Sequence, residues 1–313
     1  KVKQILCRTI LFNYFSTKLN NMSIYSIADL EKLSGIKAHT LRIWEKRYNI
    51  VEPKRTDTNI RFYNDYQLRK ILNVSFLINQ GFKISKIAKL DESKLAIKVN
   101  ESSSVSDSHE SYINDFIISG LTFEVKLFNK TFDNVISKFG LSETYESIII
   151  PSLNKIGSLW SSGDLYPSQE HFISNLIKQK FYHILEEKKA NIKINKTALL
   201  FLPPWENHDF ALIYADILLQ ERGVNVCSIG KAFSKESVYQ CIEKTQPDYI
   251  FTTFIVGHKV SEIQEFCNQI NLRKNNAKFL LGGNMNLLKL VSTKAQLFNS
   301  CKEFESYVKF QIN

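Results

Sequence analysis

The sequence predicts a multidomain protein: a winged helix-turn-helix, a four-helix bundle, and an α/β flavodoxin-like parallel sheet, in that order. Near the start, two short amphipathic segments are divided by Gly35 and followed by a polar, arginine-containing hairpin pattern. Residues 111–190 carry apolar residues at helical spacing with short turns, which is typical of a helical bundle. From Lys196 onward, short apolar runs alternate with amphipathic segments, the pattern of a parallel sheet covered by helices.

Length and composition limit the class of protein. A chain of 313 residues allows two or three domains, and 44% hydrophobic residues are enough for packed cores. No uncharged run approaches the roughly 20 residues that span a bilayer. The five cysteines show no paired spacing, so neither a zinc site nor a disulfide framework is indicated. We therefore expect a cytoplasmic protein with no membrane partner.

The net charge of +10 is concentrated at the front of the chain. Residues 1–21 hold four Lys or Arg and no acid, and residues 22–90 hold 13 Lys or Arg against 6 Asp or Glu. The remaining residues sum to −1. This distribution indicates that only the front of the protein contacts a polyanion. Because their apolar run is short and broken by charges, residues 1–21 are interpreted as a disordered extension.

The pattern of residues 22–90 is that of a helix-turn-helix with a wing. Ser26 is placed to cap a helix over Ile27–Ser34, Gly35 ends it, and a second helix is expected over Ala38–Tyr48. In such a motif the second helix enters the major groove of DNA. Residues 51–63 predict a two-stranded wing, and two further helices are expected at residues 65–80 and 85–90.

This segment resembles the DNA-binding domain of the MerR family of transcriptional regulators. The matching words are Tyr25-Ser26-Ile27-Ala28-Asp29-Leu30, Thr40-Leu41-Arg42-Ile43-Trp44-Glu45-Lys46-Arg47-Tyr48, Pro53-Lys54-Arg55-Thr56, Arg61-Phe62-Tyr63 and Gly81-Phe82-Lys83-Ile84. The resemblance implies double-stranded operator DNA as a partner. It implies DNA contacts from the recognition helix and the wing by His39, Arg42, Lys46, Arg47, Arg55, Arg61 and Tyr63. Asn59-Ile60 replaces the usual Gly-aromatic pair of the wing.

Residues 91–110 are rich in serine and short of apolar side chains, so we expect a flexible linker there. A flexible linker does not transmit strain. Formation of a homo-oligomer, a dimer or tetramer of the kind that palindromic operators favour, is then expected to depend on the downstream domains.

The residues downstream predict a ligand site at the edge of the sheet. Strands are expected near residues 197–202, 224–229, 249–254, 278–281 and 295–298. The first strand ends at Pro203-Pro204, and the loop beyond it carries Glu206 and His208. Ligands of such sheets bind beyond the carboxyl ends of the strands. A carboxylate beside an imidazole is the usual arrangement of a metal ligand and its orienting group, whereas a solvated loop histidine is the simpler alternative.

Three sequence words of this region resemble those of cobalamin-binding domains. The Glu206-x-His208 loop is similar to their Asp/Glu-x-His-x-x-Gly signature, with Ala211 in place of the glycine. Thr253 stands for the serine of the family's Ser-x-Leu strand, and Gly282-Gly283 for its Gly-Gly strand end. The resemblance implies that His208 ligates cobalt and that Glu206 orients it. It also implies that Thr253, Gly282 and Gly283 adjoin the cofactor's nucleotide tail.

Within the helical bundle, Trp160 is followed nine residues later by Glu170-His171. This spacing resembles the cap of cobalamin-dependent MerR regulators, and it implies that Trp160 covers the upper face of the cofactor. By the same resemblance, Glu170 and His171 line the space for an adenosyl group. In the light-sensing members a histidine follows the tryptophan, whereas this chain has Ser161.

Taken together, the three modules resemble the adenosylcobalamin-dependent, light-responsive repressors of carotenoid genes. The resemblance implies a DNA-binding regulator that is not an enzyme. Its oligomerisation and operator binding are expected to respond to adenosylcobalamin held between cap and sheet, and to light. Two alternatives stay open at this point. One is a cofactor-independent MerR-type regulator with a degenerate cobalamin domain, and the other is a corrinoid-carrying protein of a methyltransferase system.

Overall fold

The computed structural model describes residues 25–55, 59, 61–105, 109–161, 167–189, 194–255 and 257–312. The extension predicted at residues 1–21 lies outside these ranges. The chain divides into two compact units, residues 1–174 and 175–313, and each is described by itself. In the described part of the chain, no helix combines the length and the apolar character needed to cross a bilayer.

The first unit begins with the predicted winged helix-turn-helix, which the structure confirms. Ser26 caps the first helix in a capping box, accepting a hydrogen bond from the Asp29 amide at 3.2 Å. Leu30, Leu41 and Leu68 lie in the buried core of this motif. Its helices are α1 (Ile27–Ser34), α2 (Ala38–Tyr48), α3 (Asp65–Asn79) and α4 (Ile84–Ile87).

The wing consists of β1 (Lys54–Arg55) and β2 (Arg61–Phe62), which pair antiparallel with Arg55 opposite Arg61. Asn59 adopts a φ of 64°, and its side-chain oxygen accepts a hydrogen bond from Arg55 at 2.7 Å. Asn tolerates left-handed backbone better than most residues do. Asn59 therefore supplies backbone geometry for which the related wings use glycine.

The flexible linker expected at residues 91–110 is, for the most part, a helix, α5 (Glu92–Val105). Asp91 starts it by accepting a hydrogen bond from the Lys94 amide at 2.8 Å. Leu95 is buried, and α5 packs against α3. The linker prediction is wrong over this range because one N-terminal cap and one apolar anchor suffice when a neighbouring helix offers a surface. Residues 106–108 lie outside the described ranges.

The helical part of the first unit contains α6 (Glu110–Thr122), α7 (Val125–Thr144), a π-helical turn (Tyr145–Ile149) and α8 (Ile150–Ser161), followed by α9 (Pro167–Glu187), which continues into the second unit. Its core includes an aromatic series in which Phe128 lies 5.3 Å from Phe116 and 5.9 Å from Phe132, between ring centroids. The wide turn directly precedes Pro151, whose ring would clash with a carbonyl of a regular helix. The helices of this region pack against one another, as predicted for a helical bundle.

The helix-turn-helix and the helical part of the first unit are packed together. Helix α3 contacts α6, and Arg69 of α3 forms an ion pair of 2.7 Å with Glu124. Asn79, also in α3, donates a hydrogen bond of 2.9 Å to Glu110 of α6. The expectation that strain cannot pass between these two regions is therefore wrong, because they share an interface besides their covalent connection.

The second unit contains a five-stranded parallel sheet in the spatial order β4-β3-β5-β6-β7, which confirms the flavodoxin-like prediction. Its strands are β3 (Thr197–Leu202), β4 (Asn225–Lys231), β5 (Tyr249–Phe254), β6 (Lys278–Gly283) and β7 (Gln296–Leu297). Its further helices are α10 (Phe210–Glu221), α11 (Lys235–Thr245), α12 (Val260–Arg273), α13 (Met285–Leu288) and α14 (Cys301–Gln311).

The two faces of this sheet are buried against different helices. Phe201, Ile250 and Leu281 point to one face and share a core with side chains of α11 and α12, such as Val238 and Phe266. The opposite face is covered by α10 and α14, which contact each other. Both faces being closed, ligand access is left to the edge where the strands end, and the loop after β3 lies at this edge.

Candidate functional sites

The recognition helix α2 presents a basic surface. His39, Arg42, Lys46 and Arg47 are all exposed on it. The Arg47 guanidinium lies 5.3 Å from the centroid of the Tyr48 ring, and His39 contacts the Thr40 hydroxyl at 3.3 Å. Exposed basic side chains grouped on one helix are suited to phosphate and base contacts. DNA contact by these four residues remains a prediction.

Glu45 ties the recognition helix to the wing. Its side chain is only 8% exposed, it accepts a hydrogen bond from the Tyr63 hydroxyl, and it lies 3.5 Å from Arg61 Nε. No role for Glu45 was predicted from the sequence. The sequence does contain a signal for this role, because Glu45 is a single acid between Arg42 and Lys46. A carboxylate repels DNA phosphates, so an acid on a DNA-binding helix indicates a structural partner within the protein.

Tyr63, for which a DNA contact is predicted, lies inside the helix-turn-helix motif. The residue is fully buried, and burial together with the neighbouring Glu45 carboxylate raises the pKa of Tyr63 above its usual range. Its amide and carbonyl also form a β-bridge with Tyr25. Arg61 is 35% exposed and paired with Glu45, and Arg55 is exposed at the wing tip. DNA contacts by Arg55 and Arg61 stay predictions.

The loop after β3 is organised by Glu206, which is completely buried. One carboxylate oxygen accepts hydrogen bonds from the amides of Asn207 at 2.8 Å and His208 at 3.0 Å. The other accepts from the Ile255 amide, beyond the end of β5, at 2.7 Å. Glu206 therefore fixes its own loop and connects that loop to the neighbouring strand end.

Glu206 also holds the imidazole of His208, with 2.6 Å between Oε1 and Nδ1. The His208 side chain is 54% exposed although its partner is completely buried. A carboxylate on Nδ1 fixes the ring orientation and directs Nε2 toward a metal, as around most ligating histidines. The structure thus brings together the residues predicted as ligand and orienter. Ligation of cobalt by His208 remains a prediction.

Within the described residues, no group of three or more His, Cys, Asp or Glu is placed to hold a metal ion. A metal bound through His208 must therefore bring other ligands with it. A corrinoid would meet this condition, because its ring carries the nitrogens that hold cobalt and one further donor from the protein would be enough. The donor chemistry at His208 fits such a group.

A second cluster at the same edge was not predicted. The Trp205 indole stacks on the His258 imidazole with ring centroids 4.5 Å apart and planes 5° from parallel. His258 lies 2.9 Å from Glu262, and Lys235 lies 5.4 Å from the indole centroid. Trp205 directly precedes Glu206, so this stack is a second contact, besides the Glu206 hydrogen bonds, that holds the loop after β3 (residues 203–209, the ligand loop). The cluster could have been predicted from the position of His258 just past the end of β5, because ligand-site residues lie at the carboxyl ends of parallel strands.

The predicted nucleotide-side residues lie at the ends of β5 and β6. Thr253 is buried and pairs in register with Gly282, and its hydroxyl has no hydrogen-bond partner among the residues that the structure describes. Gly283 has a φ of +122°, and a Cβ there would lie 2.2 Å from the Phe254 carbonyl oxygen. Gly283 is thus required by backbone geometry, which is a different reason from the ligand space predicted for it.

The family's glycine position, Ala211, is half-buried near the start of α10. On the β4 side of this helix lies a cavity of about 250 Å³ beside the ligand loop. Asp216 within it is largely buried, and burial raises the pKa of its carboxyl. The cavity is lined by Tyr182, Leu202, Asn207, Asp209, Leu212, Ile213, Asp216, Ser228, Gly230 and Lys231.

The predicted upper-face residues belong to the first unit. Glu170 and His171 lie in the first turn of α9, with 3.0 Å between Glu170 Oε2 and His171 Nδ1. Glu170 also accepts a hydrogen bond of 2.6 Å from Ser174, and His171 is exposed. Trp160 and Ser161 end α8, and their side chains lie outside the described part of the structure. The roles of all three upper-face residues stay predictions.

Comparison with family models gives two matches. Residues 25–94 match the MerR HTH family regulatory protein, and residues 112–185 match the B12 binding domain. The chain therefore combines a segment of the MerR helix-turn-helix type with a segment of the B12 binding domain type.

Curated relatives agree with this class. The chain is homologous to the HTH-type transcriptional repressor CarH of Myxococcus xanthus, at 22% identity over 77% of this chain and 82% of the relative. It is similarly homologous to the HTH-type transcriptional repressor CarA of Myxococcus xanthus, at 22% identity over 73% of this chain and 76% of the relative. The HTH-type transcriptional regulator MlrA of Escherichia coli is 35% identical over 69 residues, which are 22% of this chain and 28% of the relative.

A solved structure, the monomethylamine corrinoid protein of Methanosarcina barkeri, superposes with a TM-score of 0.51 at 12% identity. The match covers 66% of this chain and all of that one. At this identity the likeness establishes the fold of the matched region and says nothing of its activity.

Proposed function

We propose that this chain is a DNA-binding transcriptional repressor controlled by a bound corrinoid, adenosylcobalamin, and that it is not an enzyme. The Glu206–His208 pair carries the proposal. A buried carboxylate that fixes Nδ1 of a half-exposed imidazole is the arrangement required of an axial ligand. A bound corrinoid would supply the cobalt ion, which His208 would ligate. His208 supplies the nitrogen, and Glu206 fixes the ring orientation and increases its basicity.

Operator binding is supported by the exposed cations of α2 and the wing. Each phosphate that such a cation neutralises releases a condensed counterion, so affinity depends steeply on salt. Sequence is read by the side chains that reach base edges, for which Arg42 in α2 is the strongest candidate. The operator is double-stranded DNA, and the protein acts in the cytoplasm.

Control is proposed to act through oligomers of this chain, dimers or tetramers. Joining several helix-turn-helix units in one assembly raises operator affinity by effective concentration, without any new DNA contact. The adenosyl group favours the competent assembly through Glu170 and His171, and its loss favours another state. Light acts by removing that group. Because Ser161 has no imidazole, the illuminated state lacks a second histidine ligand.

The ligand assignment is tested by absorption spectra of protein titrated with aquacobalamin. Wild type should give the spectrum of histidine-ligated cobalt with the cofactor's own base displaced, and His208→Ala should not. His183→Ala is the matched control, since His183 is an exposed histidine paired with Glu187 in the same unit. Cobalamin should also stabilise the wild type against unfolding by about 4 kcal/mol at a thousandfold excess over Kd. Identical uptake by wild type and His208→Ala would reject the assignment.

The switch is tested by sedimentation and operator binding in darkness, with adenosylcobalamin or methylcobalamin, and again after illumination. Adenosylcobalamin should give the larger assembly and the tighter operator complex. Constant oligomer size and constant operator affinity under all of these conditions would exclude a cobalamin switch.

Such a result would favour the second candidate function, a MerR-type regulator that works without the cofactor. The observation that favours this candidate is Ala211, which stands where the cobalamin-binding signature has a glycine. A corrinoid carrier for a methyltransferase is supported by likeness of fold alone.

A further inference from the structure

We propose that Asp209 is a positioning residue that links the ligand histidine, His208, to helix α9. Its ion pair with Lys178 makes the position of α9 depend on what His208 binds. This inference rests on the proposed corrinoid function and specifies how occupancy of that site regulates the protein. It is carried by contacts inside the second unit, between the ligand loop and residues 175–187 of α9.

The two residues beside His208 each contact a lysine. Asn207 accepts a hydrogen bond of 2.5 Å from Lys231 at the end of β4, so this side of the loop is attached to the sheet. Asp209 forms an ion pair of 2.8 Å with Lys178 of α9. The Asp209 pair is therefore the one that joins the ligand loop to an element outside the sheet.

Asp209 occupies a position that normally caps a helix, but its carboxylate is used differently. It is the N-cap residue of α10, where an aspartate side chain commonly accepts hydrogen bonds from the first backbone amides. In the described first turn of α10, no amide donates to it. The carboxylate meets Lys178 instead, and the two side chains are 31% and 32% exposed. Because ion pairs at such exposure contribute little to stability, the main effect of this one is on the position of α9.

The residue after Asp209 contacts the same helix. Lys178 Nζ lies 5.7 Å from the centroid of the Phe210 ring, and Phe181 packs edge-on against Phe210 with the ring centroids 6.2 Å apart. Lys178 and Phe181 are three residues apart and so lie on one face of α9. This face therefore contacts both of the residues that directly follow His208.

The ligand loop has room to shift on the side of Asp209. The cavity of about 250 Å³ beside the loop is lined by Asn207 and Asp209 and by Tyr182 of α9. A loop that borders open space moves without displacing packed side chains. When His208 becomes a ligand, Glu206 keeps the start of the loop in place through its hydrogen bond to Ile255, so the displacement falls on Asp209.

A displacement at Lys178 extends along α9, which is one helix from Pro167 to Glu187. His171 precedes Lys178 by seven residues, which is two turns or about 10 Å of helix, and residues at this spacing lie on one face. Glu170 and His171, which are predicted to line the adenosyl space, therefore move with the ion pair. The coupling is reciprocal, so a restraint on α9 changes the affinity at His208 by the same factor.

The test is hydrogen exchange of peptides covering residues 175–187 in the full chain, with and without aquacobalamin, with absorption spectra recorded on the same samples. Aquacobalamin should slow exchange in this segment by roughly threefold or more in the wild type. In Lys178→Gln the histidine-ligated spectrum should still form at saturating aquacobalamin, but the slowing should fall below about 1.5-fold. Asp209→Asn should behave in the same way, and the double variant should resemble either single one, because both changes remove one interaction.

Lys188→Gln is the matched control. Lys188 directly follows α9 and forms an ion pair of 2.7 Å with Glu221, which joins this end of the helix to the far end of α10. The two side chains are exposed to a similar degree, at 40% and 45%. Because the pair is remote from the ligand loop, Lys188→Gln should keep the slowing of the wild type.

A histidine-ligated spectrum in the wild type with unchanged exchange in residues 175–187 overturns the inference and leaves the proposed function standing. Equal slowing in the wild type and Lys178→Gln does the same, because α9 then responds without the ion pair. Loss of the slowing in Lys188→Gln as well would show a general loosening of α9, and loss of the spectrum in Lys178→Gln would make the pair part of ligand binding. Either result also overturns the inference.

Absence of any spectral change in the wild type overturns the inference together with the proposed function. If Asp209→Asn does not fold or does not bind aquacobalamin, Lys178→Gln decides alone, since it leaves the ligand loop intact.

Discussion

Replacing Glu206 with glutamine tests how the ligand loop is held. The substitution keeps the shape of the side chain but turns one of two acceptor oxygens into a donor. If the amide oxygen faces the Asn207 and His208 amides, the new NH₂ group faces the Ile255 amide, which loses its 2.7 Å partner. In the opposite orientation the other two amides lose theirs. Neither orientation satisfies every donor.

The cost follows from this count. One buried amide left unsatisfied costs about 1–3 kcal/mol. The hydrogen bonds that remain also change from charge-assisted to neutral, which roughly halves the strength of each. We expect local opening of residues 203–210 to become easier by about 3 kcal/mol, corresponding to roughly 150-fold faster exchange. Because the imidazole loses its orienting anion, corrinoid affinity should fall roughly 10–100-fold.

The assay is hydrogen exchange of peptides covering residues 199–210 and 249–256 in the full chain, together with corrinoid titration. Glu221→Gln is the control, because Glu221 forms an exposed ion pair with Lys188 in the same unit. Equal exchange rates in the two variants would show that the buried carboxylate does not hold the loop. Unchanged corrinoid affinity with faster exchange would show that it holds the loop but does not orient the ligand.

Three further predictions concern the first unit. Glu45→Gln should weaken operator binding about three- to tenfold although it removes a negative charge, because the wing loses its anchor. Glu52→Gln, which removes an exposed carboxylate from the same motif, is the control, and tighter binding by Glu45→Gln would refute the anchor. Arg42→Ala should cost about 1–3 kcal/mol on operator and less on random DNA, measured by titration at fixed salt; equal losses would remove Arg42 from sequence readout. Burial raises the pKa of Asp115 to about 6, so its stabilising contribution is complete below about pH 4 and is lost as pH rises through 6. Urea unfolding should therefore show wild type losing on the order of 3 kcal/mol across this window relative to Asp115→Asn, and parallel pH profiles would contradict the assignment.

The architecture was predictable wherever one residue decides the backbone locally. Ser26 and Gly35 bound α1, Pro203 ends β3, and alternating apolar runs define the sheet. The pairing of Glu206 with His208 followed from their spacing in one loop. Each of these features depends on residues that are close together in the sequence.

The errors have a common physical origin in contacts between distant residues. Residues 92–105 were expected to be flexible, because nothing in their composition shows that Leu95 has a surface to pack against. Tyr63 was assigned to DNA from the resemblance of its segment to the MerR wing, whereas its hydroxyl donates a hydrogen bond to Glu45, 18 residues earlier. Such partners are set by the tertiary fold.

The packing of α3 on α6 has a consequence for the DNA that this protein recognises. A helix-turn-helix on a slack tether would accept half-sites at many separations. A helix-turn-helix that is joined to the helical bundle through the Arg69–Glu124 and Asn79–Glu110 contacts holds its recognition helix at a fixed angle to that bundle. Operators should then obey helical phasing. Inserting half a turn of DNA, about 5 base pairs, between half-sites should abolish joint binding, and inserting a full turn of about 10.5 should restore much of it.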